Sequence, residues 1–419
     1  MEYTKMDDAV LYEQEMDEGE KPPSILPRPV KPWRVAVIAN VKGKTSSLAE
    51  GPEDAGAEYD KEETIQSICN AISSDGHNTI FIPADINLPF ALKEAVPDIC
   101  FNIAEGMGGD GREAHAPAIF EMLHIPYTAS RVTANAIALD KTLTKRIWRD
   151  NGLPIAPFQE FSSADEQIDP GLRYPMFVKP AREGTGMGMG LASVVHNATE
   201  LRARIQWVIS KYNQPALVEE YLPGREFTVG ILGRPGCNRF VRHPELYRAD
   251  GFHRMPPLEV ESAKSVTPGV YGISAKQVYP GEAGYPEFLC PAPISEEFSH
   301  TLQELAVKAH RAIGALDVSR VDFRCDAEGN PYLLEINSLP GLTPDFSDLC
   351  VIAHAENISY RDLILEILYL GASRWGLVEE AVSTELKMPL AAELSAPGFQ
   401  RTRIPARVPY TIRARTLLR

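Results

Sequence analysis

The residues best placed to do chemistry lie in SRVDFRCDAEGNPYLLEIN (319–337), where two apolar runs flank the turn sequence Ala327-Glu328-Gly329-Asn330. A hairpin closed by a two-residue Glu328-Gly329 loop predicts Val321 opposite Ile336, Phe323 opposite Leu334 and Cys325 opposite Tyr332 on the core face. The other face then carries Asp322 opposite Glu335 and Arg320 opposite Asn337. Like charges set against each other destabilise a sheet. A hard divalent cation held by Asp322, Glu335 and the Asn337 amide oxygen would turn that repulsion into a binding site. The alternative is a solvated polar face on which Arg320 neutralises the acids.

A second group is FVKPAREGTGMGMG (177–190), a strand that delivers Lys179 and runs into glycines 184, 186, 188 and 190. Glycines let backbone N–H groups approach phosphate oxygens, and Lys179 adds a point charge. A dinucleotide fingerprint would open a helix, whereas β-prone LASVV (191–195) follows here, so strand, glycine loop, strand is expected. That order suits a flap over phosphates, with an ordinary Gly-rich hairpin as the alternative. LDKTLTK (139–145) could aim Lys141 at a phosphate, although a lysine pair on a helix usually faces solvent. In EEYLPGREF (219–227), Glu219 and Glu226 flank a Pro-Gly turn as acceptors for adenine and ribose, or as exposed acids. No HExxH and no GxSxG occurs, which removes support for a zinc or serine hydrolase.

The elements that must position these groups follow from periodicity. VAVIA (35–39), EETIQSICNAI (62–72), TIFIP (79–83), DICFNIA (98–104) and EAHAPAIFEML (113–123) alternate strand and helix, which predicts a parallel sheet. Asp60 followed by Glu63 resembles a capping box before the first helix. A helix over 139–152 stops at Gly152 with Pro154 beyond. Strands at 177–179, 191–195, 217–222 and 226–232 surround a helix at 199–212; helices near 296–313 and 360–370 follow an irregular loop at 255–290. The implied division is 1–32, an acidic then proline-rich flexible tail; 33–138; 139–225; 226–372; and 373–419, a basic extension with six arginines after Ser395.

Composition bounds the function. A chain of 419 residues with net charge −15 exceeds one typical domain and offers no basic footprint for nucleic acid. The longest apolar stretch, Leu363 to Leu370, contains Glu366 and is too short to span a bilayer. The acidic N-terminus has no secretory pattern, so a cytoplasmic location is expected. Six scattered cysteines without a CxxC read as reduced core residues.

Taken together, FNIAEGMGGDGREAHAPAIFEMLHIPYTAS (101–130), ALDKTLTK (138–145), VKPAREGTGMGMG (178–190), EEYLPGREFTVGILG (219–233) and RVDFRCDAEGNPYLLEINSLPGLTP (320–344) resemble the D-alanine:D-alanine ligase branch of the ATP-grasp superfamily. The resemblance spans about 33–372 and implies an α/β, three-domain ATP-grasp fold with an N-terminal parallel-sheet domain. It implies an ATP-dependent carboxylate:amine ligase working through an acyl phosphate on small-molecule amino-acid or carboxylate substrates, with a homodimer left open. The alternatives are a ligase for a different amino acid or small acid, and a non-catalytic ATP-binding regulator. ATP would meet Lys141, Lys179, Glu219, Glu220, Leu222 and Glu226, under a flap containing Glu183, Gly184, Thr185, Gly186 and Gly188. Two magnesium ions, or manganese, would sit on Asp322, Glu335 and Asn337, while Arg320 and the Gly341 N–H would face an oxyanion. Lys276 resembles the mobile-loop lysine of the family.

Departures lie at the substrate end. The loop 39–54 lacks the Gly-Gly-x-Ser-x-Glu pattern, Gln277 follows Lys276 where tyrosine is usual, and Phe346 or Ser347 falls near the expected carboxylate-binding serine. Glu105 stands where a histidine-glycine pair is common, with Arg112 or Arg131 near enough in sequence to assist or, for Arg112, to pair with it. This predicts that Glu105 meets a substrate ammonium and that D-alanine is not the preferred substrate.

Overall fold

A computed structural model describes residues 28–29, 32–44, 52–237, 240–261, 265–276, 278, 282–284 and 286–379. The expectations for most of the acidic tail and of the basic extension lie outside the described residues. Arg28–Pro29, within the proline-rich stretch, pairs antiparallel with Val378–Glu379.

The first domain is a parallel three-stranded sheet, with β1 (Arg34–Ala39) between β2 (Asn78–Pro83) and β3 (Ile99–Asn102). The crossovers are α1 (Glu62–Ser73) and α2 (Leu88–Ala95), and α3 (His115–Met122) follows β3. The βαβ reading holds, and α2, which carries Pro89 in its first turn, is additional. The capping box does not form: Lys61 occupies the N-cap without a side-chain bond, and Asp60 instead lines the central cavity.

Between this domain and the next, α4 (Val132–Leu139) and α5 (Lys141–Asp150) meet at Asp140, whose extended backbone breaks the run and whose carboxylate accepts from the Leu143 N–H at 2.8 Å. The helix expected over 139–152 is therefore α5 alone. The central domain is a four-stranded sheet of β4 (Phe158–Phe161), β5 (Met176–Pro180), β6 (Val194–Val195) and β7 (Ala216–Glu220), backed by α6 (Ala198–Tyr212). Asn197 caps α6 by accepting from the Thr199 and Glu200 N–H groups. The strand expected at 191–195 is only its last two residues, because Leu191–Ser193 forms a 3-10 turn.

The last domain is an antiparallel sheet built on β8 (Glu226–Gly233), which pairs with β9 (Phe252–Arg254), β10 (Leu258–Glu261) and β12 (Asp317–Cys325). Strand β11 (Glu287–Leu289) extends the β10 edge and β13 (Pro331–Asn337) the β12 edge, so the segment expected to be irregular carries two sheet strands at its ends. After the one-turn α7 (Ile273–Lys276), helix α8 (Glu296–Ala312) covers one face. Helices α9 (Asp348–Ala355) and α10 (Tyr360–Arg374) share one apolar core with α1 and β1, through Tyr369, Leu363, Ile352, Ile68 and Val37. Asp75, just after α1, accepts from Arg242, Arg361 and Tyr369 at 2.9 Å each. The first domain is thus packed against the last, and together they supply the wall and floor of one cavity. The six cysteines are free thiols, all buried.

Candidate functional site

The floor of that cavity is the β12–β13 hairpin. Arg320 pairs with Asn337, Val321 with Ile336 and Asp322 with Glu335, as the sequence predicts. Beyond Asp322 a β-bulge shifts the register: Phe323 pairs with Leu333 and Cys325 with Pro331. The loop is five residues, Asp326–Asn330, closed by Asp326 accepting from the Glu328 and Asn330 N–H groups. The extra residue, Leu334, leaves the core and lines a crevice beside Glu335, while Leu333 takes its place in the core. Asp322 accepts a two-pronged contact from Arg320, 2.9 Å on each arm, and a bond from Thr228 Oγ1 at 2.6 Å. Asn337 Nδ2 also faces it, at 3.2 Å. Burial opposes the Arg320 charge, but Asp322, Asp348 and Glu335 outweigh it and hold the guanidinium firmly protonated.

Helix α5 turns a polar stripe inward, placing Lys141 and Lys145 one turn apart and both buried. The usual outcome for a lysine pair, solvent, is overturned because carboxylates and carbonyls meet both ammonium groups inside. Lys141 Nζ is 3.4 Å from Glu335 and donates to the Glu183 carbonyl. Lys145 donates to the Leu333 carbonyl at 3.0 Å and lies 2.6 Å from Glu219, whose other oxygen is 2.7 Å from Lys179. Burial alone would raise Glu219, but the two lysines hold its carboxyl below the usual range. Glu219 is committed to these cations and, with Glu220, Leu222 and Gly188, is absent from the lining of the main cavity and of the crevice beside it. Glu220 accepts from the Arg173 N–H, and Glu226 accepts from Arg324. In the sequence Lys145 figures only as the second member of a lysine pair expected in solvent, although its spacing of four from Lys141 is the signal that puts both on one face.

The cavity, about 600 Å³, brings together Glu105, Lys141, Glu183, Gly184, Thr185, Arg320, Glu335, Asn337 and Gly341. A crevice of about 50 Å³ beside it gathers Lys179, Gly186, Glu226, Asp322 and Leu334. Ser347 and Phe346 line the main cavity, Ser347 Oγ accepting from the Thr343 N–H at 3.0 Å. Lys276 ends a one-turn helix, Ile273–Lys276. Among the described residues there is no cluster of three or more His, Cys, Asp or Glu side chains suited to a metal. Asp322, Glu335 and Asn337 could hold a hard cation only with further oxygens supplied by a ligand such as a phosphate.

The far wall is acidic, from Glu58, Asp60, Glu105 and Glu113. Burial, reinforced by Glu113 and Glu58, pushes Glu105 well above the carboxylate range against the pull of Arg112. Burial also raises Asp60 to about 7, and Glu113 to about 7 despite Arg112. Arg112 is bonded not to Glu105 but to Glu58, at 2.9 and 3.0 Å, and to Glu183 at 3.2 Å. Arg131 lies outside the cavity lining, its guanidinium 6.0 Å from the Trp375 ring centre. Glu58, Asp60 and Glu113 were not singled out as site residues, since no pattern marks them.

Residues 147–369 match the family model for the D-ala D-ala ligase C-terminus. The chain is 30% identical to a D-alanine–D-alanine ligase of Pelotomaculum thermopropionicum, over 75% of this chain and 93% of that one. It is 31% identical to the uncharacterized protein y4sG of Sinorhizobium fredii, over 82% of this chain and 98% of that one. Among solved structures, the D-alanine–D-alanine ligase of Bacillus anthracis complexed with ATP superposes with a TM-score of 0.60 at 19% identity, covering 82% of this chain and 98% of that one, which shows a shared fold.

Proposed function

Since the chain belongs to the D-alanine–D-alanine ligase family, we propose that this ATP-using ligase joins a carboxylate to an amine through an acyl phosphate, with a substrate other than D-alanine preferred. The observation that carries the reading is the floor of the cavity. Asp322 and Glu335 oppose each other there, with Arg320 and Lys141 on them, beneath the glycine loop. D-Alanine dipeptide formation is the nearest named activity.

In this reading a carboxylate oxygen of the first substrate takes the γ-phosphoryl group of ATP and ADP leaves. The amine of the second then attacks the acyl carbon, loses a proton, and expels phosphate. Lys179, kept protonated by Glu219 against the effect of burial, neutralises phosphate charge. Lys141 bridges the flap root and Glu335. Arg320 and the Gly341 N–H stabilise the oxyanion of the tetrahedral adduct. The donor chemistry of Asp322, Glu335 and Asn337 fits magnesium, which usually shares its sphere between one or two carboxylates and phosphate oxygens. Bound there it would neutralise the phosphate charge that develops during transfer.

The acidic wall supports a substrate bearing an ammonium near Glu105, because a carboxyl pushed upward by burial and by its acidic neighbours is relieved by a cation. ADP release would be followed with D-alanine and a panel of amino acids and small carboxylates, for the wild type and Glu105→Ala. Turnover is expected with an amino acid other than D-alanine and is lost in Glu105→Ala. Efficient D-alanine dipeptide formation, unaffected by Glu105→Ala, would overturn the specificity reading.

A further inference from the structure

The loop after β1 crosses from the first domain to the glycine loop of the central domain. Asp54 Oδ2 accepts from the Gly188 N–H at 3.0 Å and from the Tyr212 hydroxyl at 2.8 Å. The next peptide is held by Arg204, which donates to the Gly188 carbonyl and, at 3.0 Å, to Ser193 Oγ. Gly188 has φ +68°, and a Cβ there would lie 2.8 Å from Pro180, so this turn requires glycine. Four residues after Asp54, Glu58 binds Arg112, which also donates to the Arg182 carbonyl at 2.8 Å at the root of the same loop. The first domain therefore grips the glycine loop at its tip and at its root. Between the loop and the hairpin the crevice is only about 50 Å³, well below the few hundred Å³ of a ligand pocket. A nucleotide whose phosphates reach into this crevice from the main cavity would need the loop to lift and would be covered when it returns.

We propose that Asp54 is a positioning residue that latches the glycine loop shut over the nucleotide phosphates from the first domain. The inference rests on the ligase reading above for what lies under the loop, but the latch itself is a property of the chain. Tyr212 is suited to donate without interruption: burial and the adjacent Asp54 push its hydroxyl upward, so it stays protonated at any physiological pH. The same loop carries Glu58 and Asp60 into the substrate end of the cavity. Opening at the phosphates and rearrangement at the acidic wall are then one movement.

The test uses the full chain, with Asp54→Ala, Asp54→Asn and the wild type compared by amide hydrogen exchange, binding of magnesium-ATP and thermal unfolding. Two hydrogen bonds to one carboxylate are lost in Asp54→Ala, which should speed exchange across residues 184–190 by about 10- to 100-fold and weaken ATP binding by about tenfold or more. The melting temperature should move little. Asp54→Asn keeps an oxygen that accepts from the Gly188 N–H and should restore most of the protection. Unchanged exchange in Asp54→Ala, or an Asp54→Ala melting temperature that falls as far as the loop loosens while Asp54→Asn restores nothing, would overturn the latch. A wild type that neither binds ATP nor releases ADP with any substrate would overturn the ligase reading instead, and the exchange measurement would still decide the latch.

Discussion

Replacing Glu219 by Gln keeps its volume and removes the one charge that lies between Lys145 and Lys179. These three side chains are buried, with whole-residue exposures of 3%, 0% and 4%, and the carboxylate is 2.6 and 2.7 Å from the two ammonium nitrogens. Breaking a buried ion pair from one side typically costs about 3–5 kcal/mol. A second route bounds the figure. The variant can relieve itself by releasing one lysine proton, and bringing a lysine of ordinary pKa to neutrality at pH 7 costs about 4.6 kcal/mol, at roughly 1.36 kcal/mol per pH unit. A loss of about 3–5 kcal/mol at pH 7 therefore satisfies both. The sign with pH follows: in the variant the folded state holds fewer protons than the unfolded, so stability rises with pH up to the ordinary lysine value. The deficit should shrink by about 1.4 kcal/mol per unit between pH 7 and 9.5 if one lysine is neutral in the fold. Urea unfolding of both proteins at the two pH values measures this. A loss below about 1 kcal/mol would refute the claim that Glu219 is a charge partner for both lysines, and a loss equal at both pH values would refute relief by release of a lysine proton.

Glu335→Gln should abolish magnesium-dependent ADP release while leaving the circular dichroism and melting unchanged; full turnover at low magnesium would remove Glu335 from the metal set. Arg320→Met should slow the chemical step by about 100- to 1,000-fold; a weaker ATP affinity with undiminished turnover at saturation would make Arg320 a ground-state binder. Asp60, raised by burial from 3.8 to about 7, stays protonated in the fold across a window where the unfolded chain ionises, so its contribution to stability falls as pH rises from about 4 to 7. Asp60→Asn should match the wild type near pH 4 and exceed it at pH 8 by up to about 4 kcal/mol in urea unfolding; equal stability at both pH values would contradict the burial argument.

What could be read from the sequence follows the range of the interaction involved. Strand and helix identity rests on local periodicity, and β1, α1, α6, β8 and the first half of the hairpin lie where that periodicity puts them. Asp322 against Glu335 came out as expected because two departures cancel: the longer loop puts the pairs nearest the turn one residue out of the expected register, and the bulge restores it. The bulge at Leu334 was not legible, since nothing local distinguishes Leu333 from Leu334. What separates them is the core under Phe323 on one side and the crevice on the other. Helix α5 shows the same limit: its amphipathicity is plain, but which side counts as inside depends on Glu219 and Leu333, 74 and 188 residues from Lys145. Arg112 sits within reach of Glu105 along the chain, yet Glu58, 54 residues earlier, holds it.

The two halves of the cavity obey opposite electrostatic rules, and this bears on what each is for. On the side that the ligase reading gives to the nucleotide, Lys179 with Glu219 and Arg320 with Asp322 are paired in advance, at 2.7 and 2.9 Å. An arriving polyphosphate there exchanges partners within a set of charges already fixed in place, which costs little reorganisation at the moment of reaction. On the far side Glu105, Glu113 and Asp60 are raised by burial, without a cation of their own sufficient to hold them ionised. Such a wall is neutral or half-ionised at pH 7 and becomes fully anionic only when a positive group binds, releasing protons as it does so. On the ligase reading, affinity for a substrate carrying an ammonium at Glu105 should therefore rise with pH as that raised carboxyl ionises, and stay flat for a substrate that does not.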